Sequence, residues 1–126
     1  PLHNNWAGLA FEHVCLQHLA QIKKSLGFDA VISSAHSWTT QGTQIDLLID
    51  RNDNIINICE MKYCKSKFAL DDVEIEKMQN RVDTFQHETE TSKSINLTLI
   101  TSNGITENSD THNIQNMLTM NDLFCC

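Results

Sequence analysis

Two short segments place charged side chains inside otherwise apolar stretches of the chain. Gln44 and Asp46 alternate with apolar residues, and Glu60 and Lys62 interrupt a second apolar run. Successive side chains of a β-strand point to opposite faces of its sheet. The spacing therefore predicts that Asp46 shares a face with Gln44 and Leu48, and that Glu60 shares one with Lys62.

Two carboxylates and an amine that converge in this way can support metal-dependent chemistry. Mg²⁺ prefers a few carboxylate oxygens together with several waters, and a neighbouring lysine can orient a water for attack on phosphorus. Asp46 and Glu60 are thus candidate ligands for Mg²⁺ or Mn²⁺, with Lys62 beside the ion. The alternatives are a buried ion pair of Lys62 with either acid, or a strand edge where all three side chains meet water.

A hairpin is the element that would bring these side chains together. Arg51, Asn52, Asp53 and Asn54 form a turn cluster between the two segments, a composition typical of a tight connection between antiparallel strands. We therefore expect two consecutive strands, over residues 44–50 and 55–63.

The remaining segments predict an α/β fold with a mixed sheet flanked by helices, in the order αβββαβ. Apolar residues at steps of three and four predict helices, whereas short β-prone runs predict strands. The predicted elements are a helix over residues 5–26 that ends at Gly27, a strand over 28–33, the two hairpin strands, a helix over 70–89, a strand over 95–101, and a short strand or helix after Ile114.

Composition indicates one globular, cytoplasmic domain over residues 1–126. The chain has 126 residues, of which 40% are hydrophobic. It has no apolar run long enough to cross a membrane. The five cysteines include the adjacent pair Cys125 and Cys126, which suits a reducing compartment better than a disulfide framework. The abrupt ends lead us to expect a fragment of a longer protein.

The charge balance argues against tight binding of a polyanion by the domain alone. Nine basic residues against sixteen acidic ones give a formal charge of −7, the wrong sign for bulk attraction to nucleic acid. Lys62, Lys65 and Lys67 fall within six positions and could form a local basic corner. The alternative is a solvated strand end.

The hairpin segments resemble the paired motifs of the PD-(D/E)XK nuclease superfamily, whose restriction-endonuclease-like core also has the order αβββαβ. The resemblance is carried by Gly42–Asp50 and Cys59–Lys62. More narrowly, Trp6–Glu12, Gly42–Glu60 and Asn121–Phe124 are similar to the C-terminal nuclease-like domain found behind the ATPase domain of some bacterial and archaeal ATPases.

This resemblance implies roles for individual residues. Asp46 and Glu60 match the metal-binding carboxylates, and Lys62 matches the catalytic lysine. The backbone carbonyl of Met61 would be a further metal ligand. Glu12 matches an acidic residue that many members carry on the first helix, although an ordinary position at the border of the apolar stripe explains it equally well.

Further positions define the limits of the resemblance. Gln44 could bind a phosphate or a water, or could simply be a polar strand residue. Ile45 replaces the proline of the motif, a change that many members tolerate. Asp83 stands four residues after Gln79, where the RecB-like branch often has tyrosine, so that branch's exonuclease behaviour is not implied.

Two hypotheses follow for the function. The first is a Mg²⁺-dependent endo- or exodeoxyribonuclease that uses Asp46, Glu60 and Lys62, with Lys65 and Lys67 contacting DNA weakly. The second is a non-catalytic nuclease-fold module that binds or regulates an ATPase domain of the same chain. Both are compatible with a homo-oligomer, and neither involves a membrane.

Overall fold

The computed structural model describes residues 2–107 and 109–124, with side chains from Trp6 onward. Cys125 and Cys126 lie outside the described residues. The elements are α1 (Leu2–Gln17), α2 (Leu19–Ser25), β1 (Ser33–Thr40), β2 (Thr43–Arg51), β3 (Ile55–Lys62), α3 (Asp72–Thr89), β4 (Ser94–Thr101), β5 (Asn116–Thr119) and α4 (Met120–Leu123). None of the helices in this described part is long and apolar enough to cross a membrane.

The five strands form one mixed sheet in the order β1-β2-β3-β4-β5. β1, β2 and β3 pair antiparallel through consecutive hairpins. β4 runs parallel to β3, and β5 runs parallel to β4. Because parallel neighbours need a crossover, α3 connects β3 to β4 across one face of the sheet. The α/β class and its mixed sheet with flanking helices agree with the sequence prediction.

Each face of the sheet carries its own apolar core. The α1-side core contains residues from α1, α2 and α4, packed on β2, β3 and β4; Phe11, Cys15, Leu47 and Cys59 belong to it. The α3-side core is built on the Met78, Val82 and Phe85 stripe of α3, together with strand residues such as Ile58. The central strands are therefore covered on both sides.

The predicted first helix is two helices that meet at His18. The Nδ1 atom of His18 lies 2.7 Å from the carbonyl oxygen of Val14. The backbone N–H of His18 donates to the carbonyl of Cys15 at 3.0 Å, which tightens the last turn of α1. These local bonds replace the regular ladder, so the chain restarts as α2. The predicted stop at Gly27 is confirmed by its φ of +82°.

The first strand lies later than its apolar content indicated. The prediction placed it over residues 28–33, whereas β1 spans Ser33–Thr40. Phe28 is buried, and its carbonyl accepts a turn hydrogen bond from Val31. The polar residues of β1 are extended because they pair along β2, around a turn where Gly42 has a φ of +83°. Pairing with a neighbouring strand thus outweighs local hydrophobicity.

The helix predicted over residues 70–89 is confirmed as α3. Asp71 caps its N-terminus by accepting a hydrogen bond from the backbone N–H of Glu74 at 2.9 Å, as expected for an acidic N-cap. A short strand or helix was predicted after Ile114. This region forms both, first the strand β5 and then the helix α4.

Candidate active site

Asp46 and Glu60 occupy neighbouring positions on β2 and β3. The last residue pair of this hairpin ladder joins Leu47 to Cys59. Asp46 precedes Leu47 and Glu60 follows Cys59, so the two acids are the next residues of their strands beyond that pair. Asp46 is exposed, whereas Glu60 is 7% exposed.

A β-bulge interrupts β2 next to Asp46. In the β1–β2 register, His36 pairs with Leu48 and Trp38 pairs with Ile45. The chain therefore advances by two residues on β1 and by three residues on β2 between these pairs. Ile45 and Leu48 both pack into the α3-side core. Regular alternation would put these two residues on opposite faces. The bulge therefore interrupts the regular alternation on which the predicted common face of Asp46 and Leu48 was based.

Glu12 approaches Asp46 from α1. The Glu12 carboxyl is half-buried and lies within hydrogen-bonding reach of the Asp46 side chain. Its pKa is raised, first by burial and then by the negative charges of Asp46 and Glu60, while Lys62 opposes the rise. The charges of four predicted residues are thus close enough to affect one another.

Glu60 carries an ion pair that the sequence did not predict. The Nη1 atom of Arg81, on α3, donates a hydrogen bond of 2.7 Å to its Oε1 atom. The Glu60 side chain is 8% exposed and that of Arg81 is 31% exposed. Burial raises the pKa of Glu60, and the positive charges of Arg81 and Lys62 oppose that rise. In the sequence, the feature that could have identified Arg81 is its position beside the apolar stripe of α3.

Lys62 faces α3 from the end of β3. Its Nζ atom lies 3.7 Å from the Oε2 atom of Glu74, with both side chains about one quarter exposed. The ammonium therefore sits within the same charged group as Glu60 but is paired with a different acid. Met61, between them, directs its side chain to the α1-side core.

Gln44 contacts Asp46 directly. Its Nε2 atom donates a hydrogen bond of 2.7 Å to Asp46 Oδ1, and both residues are exposed. The predicted proximity of these two side chains is confirmed. The bond leaves Asp46 between an amide on its own strand and the Glu12 carboxyl.

Lys65 and Lys67 lie in the loop after β3 and are exposed. Side chains that follow β4 hold this loop. Ser102 exchanges hydrogen bonds with the backbone of Cys64, at 2.8 Å from the N–H and 2.7 Å to the carbonyl. Asn103 donates to the carbonyls of Cys64 and Lys65, at 2.7 and 3.2 Å. The backbone under the two lysines is therefore fixed at the carboxyl end of the parallel strands.

The donor set is compatible with a hard divalent cation. Asp46, Glu60 and the Met61 carbonyl offer oxygen atoms, which Mg²⁺ prefers, and Mg²⁺ commonly uses only one or two protein carboxylates. Within the described residues, no group of three or more His, Cys, Asp or Glu side chains is arranged to hold a metal ion. One oxygen of Glu60 is instead engaged by Arg81.

Residues 1–78 match the family DUF234, described as archaeal and bacterial proteins of unknown function. This match covers 78 of the 126 residues. The chain belongs to the DUF234 family. Among curated proteins, none matches it. The part of this DUF234 chain that matches the family includes Glu12, Asp46, Glu60 and Lys62, and it ends before Arg81.

Proposed function

We propose that this chain is a metal-dependent DNA phosphodiesterase domain of the PD-(D/E)XK type. The observation that carries the proposal is the adjacency of Asp46 and Glu60 beyond the last β2–β3 pair. Lys62 follows on the same strand, and Glu12 lies against Asp46. Three acids and an amine from α1, β2 and β3 thus lie close together, whereas a solvated strand end would need no such convergence.

Each side chain would have a separate role in phosphodiester hydrolysis. Asp46 and Glu60 would hold Mg²⁺ or Mn²⁺, with the Met61 carbonyl as a further ligand. The cation would supply Lewis-acid stabilisation of the charge that develops on the phosphoryl oxygens. Lys62 positions the attacking water and offers a positive charge to the transition state. Glu12, whose pKa is raised by burial and by the charge of Asp46, would lie beside these ligands.

Cleavage of DNA by this domain is expected to depend on local contacts. The formal charge of −7 opposes bulk attraction of a polyanion. We propose weak DNA binding at the site edge, including Lys65 and Lys67, and attachment of the domain to an ATPase domain of the same chain.

A non-catalytic nuclease-fold module is the second candidate. The ion pair between Arg81 and Glu60 favours it, because this pair satisfies the buried carboxylate without any metal. Under this alternative the charged group would serve stability, and the domain would bind or regulate its attached ATPase.

A cleavage assay combined with thermal unfolding separates the two candidates. Labelled single- and double-stranded DNA are incubated with Mn²⁺ and the wild type, Lys62→Ala, or an Asp46→Asn/Glu60→Gln double variant. We expect wild-type cleavage to fall by about 10² or more in Lys62→Ala. Mn²⁺ should raise the melting temperature of both these proteins, since a ligand of the folded state stabilises by mass action. The double variant should lose both responses.

Two outcomes would reject the catalytic proposal. One is a wild type that cuts neither substrate, and the other is a Lys62→Ala variant that cuts as fast as the wild type. An equal Mn²⁺ shift in the double variant would show that the metal binds elsewhere.

A further inference from the structure

A cleft of about 270 Å³ lies beside the candidate active site, between the start of β2 and the middle of α3. Its lining contains two cations and two side-chain amides but no acid, although the whole chain has a formal charge of −7. The lining residues are Gly42, Thr43, Gln44, Lys77, Asn80 and Arg81.

The cations of the cleft come from one face of α3. Lys77 and Arg81 are four residues apart, a spacing that places side chains next to each other on a helix. Lys77 is 59% exposed, and its contact with Glu74 is long, at 3.9 Å. Arg81 uses Nη1 for Glu60, but a guanidinium has five N–H donors in all. Both cations can therefore accept an additional anion.

Two residues of the cleft also belong to the candidate active site. Gln44 donates to Asp46, and Arg81 donates to Glu60. An anion in the cleft would consequently lie next to the two carboxylates proposed to hold the metal. The amide nitrogens of Gln44 and Asn80 add neutral donors that suit the oxygens of a phosphate diester.

We propose that this cleft binds a backbone phosphate of the DNA strand, next to the phosphate that is cut. The proposal rests on the proposed function, and it assigns to the cleft a substrate contact in addition to those proposed for Lys65 and Lys67. Lys77 and Asn80 would contact this neighbouring phosphate, while Arg81 would join it to Glu60.

A substitution that adds a negative charge without changing the size of the side chain tests the cleft directly. Binding of a fluorescein-labelled single strand of about 12 nucleotides is measured by anisotropy with Mn²⁺, in a Lys62→Ala background. Asn80→Asp adds a negative charge to the cleft without removing an ion pair. We expect it to weaken binding about fivefold or more, the effect of one like charge at about 4 Å in water. Asn52→Asp, which adds the same charge at the exposed β2–β3 turn, should leave the affinity within about twofold.

A second pair of variants tests whether Lys77 contacts one phosphate. Lys77→Gln should reduce the slope of log affinity against log salt by about 0.7, the value for one phosphate of a single strand. Lys24→Gln on α2 is the matched control. The proposal is overturned if the parent protein does not bind the strand, if Asn80→Asp binds like the parent, or if the control variants weaken binding as much as the cleft variants.

Failure of the enzymatic proposal and failure of the cleft proposal give different results. If the wild type cuts no DNA but Asn80→Asp and Lys77→Gln still weaken binding selectively, the cleft binds phosphate and the enzymatic proposal alone is rejected. If the wild type cuts DNA but the cleft variants bind normally, only the cleft is rejected.

Discussion

Arg81 donates a hydrogen bond of 2.7 Å from Nη1 to the Oε1 atom of Glu60, and this bond joins α3 to β3. The carboxylate is almost fully buried, while the guanidinium remains partly exposed. A buried acid in an apolar sheet needs such a counter-ion, because an unpaired charge is costly to remove from water. Arg81 therefore supplies the positive charge that the buried Glu60 carboxylate needs.

Arg81→Gln should destabilise the metal-free protein and increase its response to metal. Loss of the cation leaves Glu60 buried without its partner, at a cost of about 1–3 kcal/mol. Mn²⁺ would then bind Glu60 without competition from the guanidinium. We expect a lower melting temperature in EDTA and a larger Mn²⁺-induced shift than in the wild type. Thermal unfolding in the two buffers measures both.

Lys77→Gln is the control for Arg81→Gln. It also removes one positive charge from α3, but the Lys77 side chain is well exposed and contacts Glu74 rather than Glu60. A similar change of the Mn²⁺ shift in both variants would contradict competition at Glu60.

Glu12→Gln should stabilise the metal-free protein at neutral pH. The folded state raises the pKa of Glu12 above its ordinary value of 4.5, mainly through burial and through Asp46. The folded state thus binds a proton more tightly than the unfolded state, so wild-type stability falls as pH rises through the folded-state pKa. The gain from the substitution should shrink as pH approaches 4.5.

Melting temperatures of Glu12→Gln and the wild type in EDTA, between pH 4.5 and 7, check this sign. Glu76→Gln makes the same chemical change at an exposed position of α3. A Glu12→Gln protein that is less stable at pH 7 than at pH 4.5, relative to the wild type, would disprove the linkage.

Asn57 organises a buried polar group away from the charged site. Its Nδ2 atom donates to Thr98 Oγ1 at 3.0 Å and to Asn116 Oδ1 at 3.4 Å, and its Oδ1 atom accepts from Arg51 Nη1 at 3.2 Å. Asn57→Ala removes three hydrogen bonds from a largely buried polar group and should cost about 1–3 kcal/mol.

Denaturant unfolding measures the loss in Asn57→Ala, with Asn52→Ala as an exposed control that should change stability by less than about 0.5 kcal/mol. The Mn²⁺ shift of Asn57→Ala should match the wild type. A variant as stable as the wild type would show that water replaces the amide at no cost.

The two core thiols should resist alkylation in the folded protein. Cys15 is 0% exposed and Cys59 is 2% exposed. Burial raises the pKa of Cys15 to about 12 and also raises that of Cys59. Because the thiolate is the nucleophile, iodoacetamide at pH 8 should leave both unmodified.

Peptide mass mapping before and after denaturation tests these thiols. The half-buried Cys64 should react in the native protein, whereas Cys15 and Cys59 should react only in denaturant. Rapid native modification of Cys15 would mean that α1 detaches readily from the sheet.

The hairpin that carries the site could be predicted because its signals are local. Apolar alternation and the turn residues between Asp50 and Ile55 determine both strands without reference to the rest of the chain. The same local reasoning misjudged β1, whose polar residues become a strand only by pairing with β2. It also treated Asp46 as part of a regular strand, although the bulge depends on its pairing with β1.

The surroundings of Glu60 were not predictable for a different reason. Arg81 is 21 residues away in sequence, and its contact depends on how α3 docks on the sheet. The apolar stripe of α3 predicts which side is buried, but it does not specify which flanking side chain reaches an acid on β3. Long-range ion pairs of this kind require the three-dimensional arrangement.

The order of the strands also affects how copies of the molecule meet. β1 and β5 are the outer strands of the described sheet, so each has backbone groups free to pair with a strand of another chain. The bulge beside β1 twists one edge, and β5 offers only four residues at the other. Both features discourage edge-to-edge association. Together with mutual repulsion from the net negative charge, they protect the folded domain against aggregation through sheet extension.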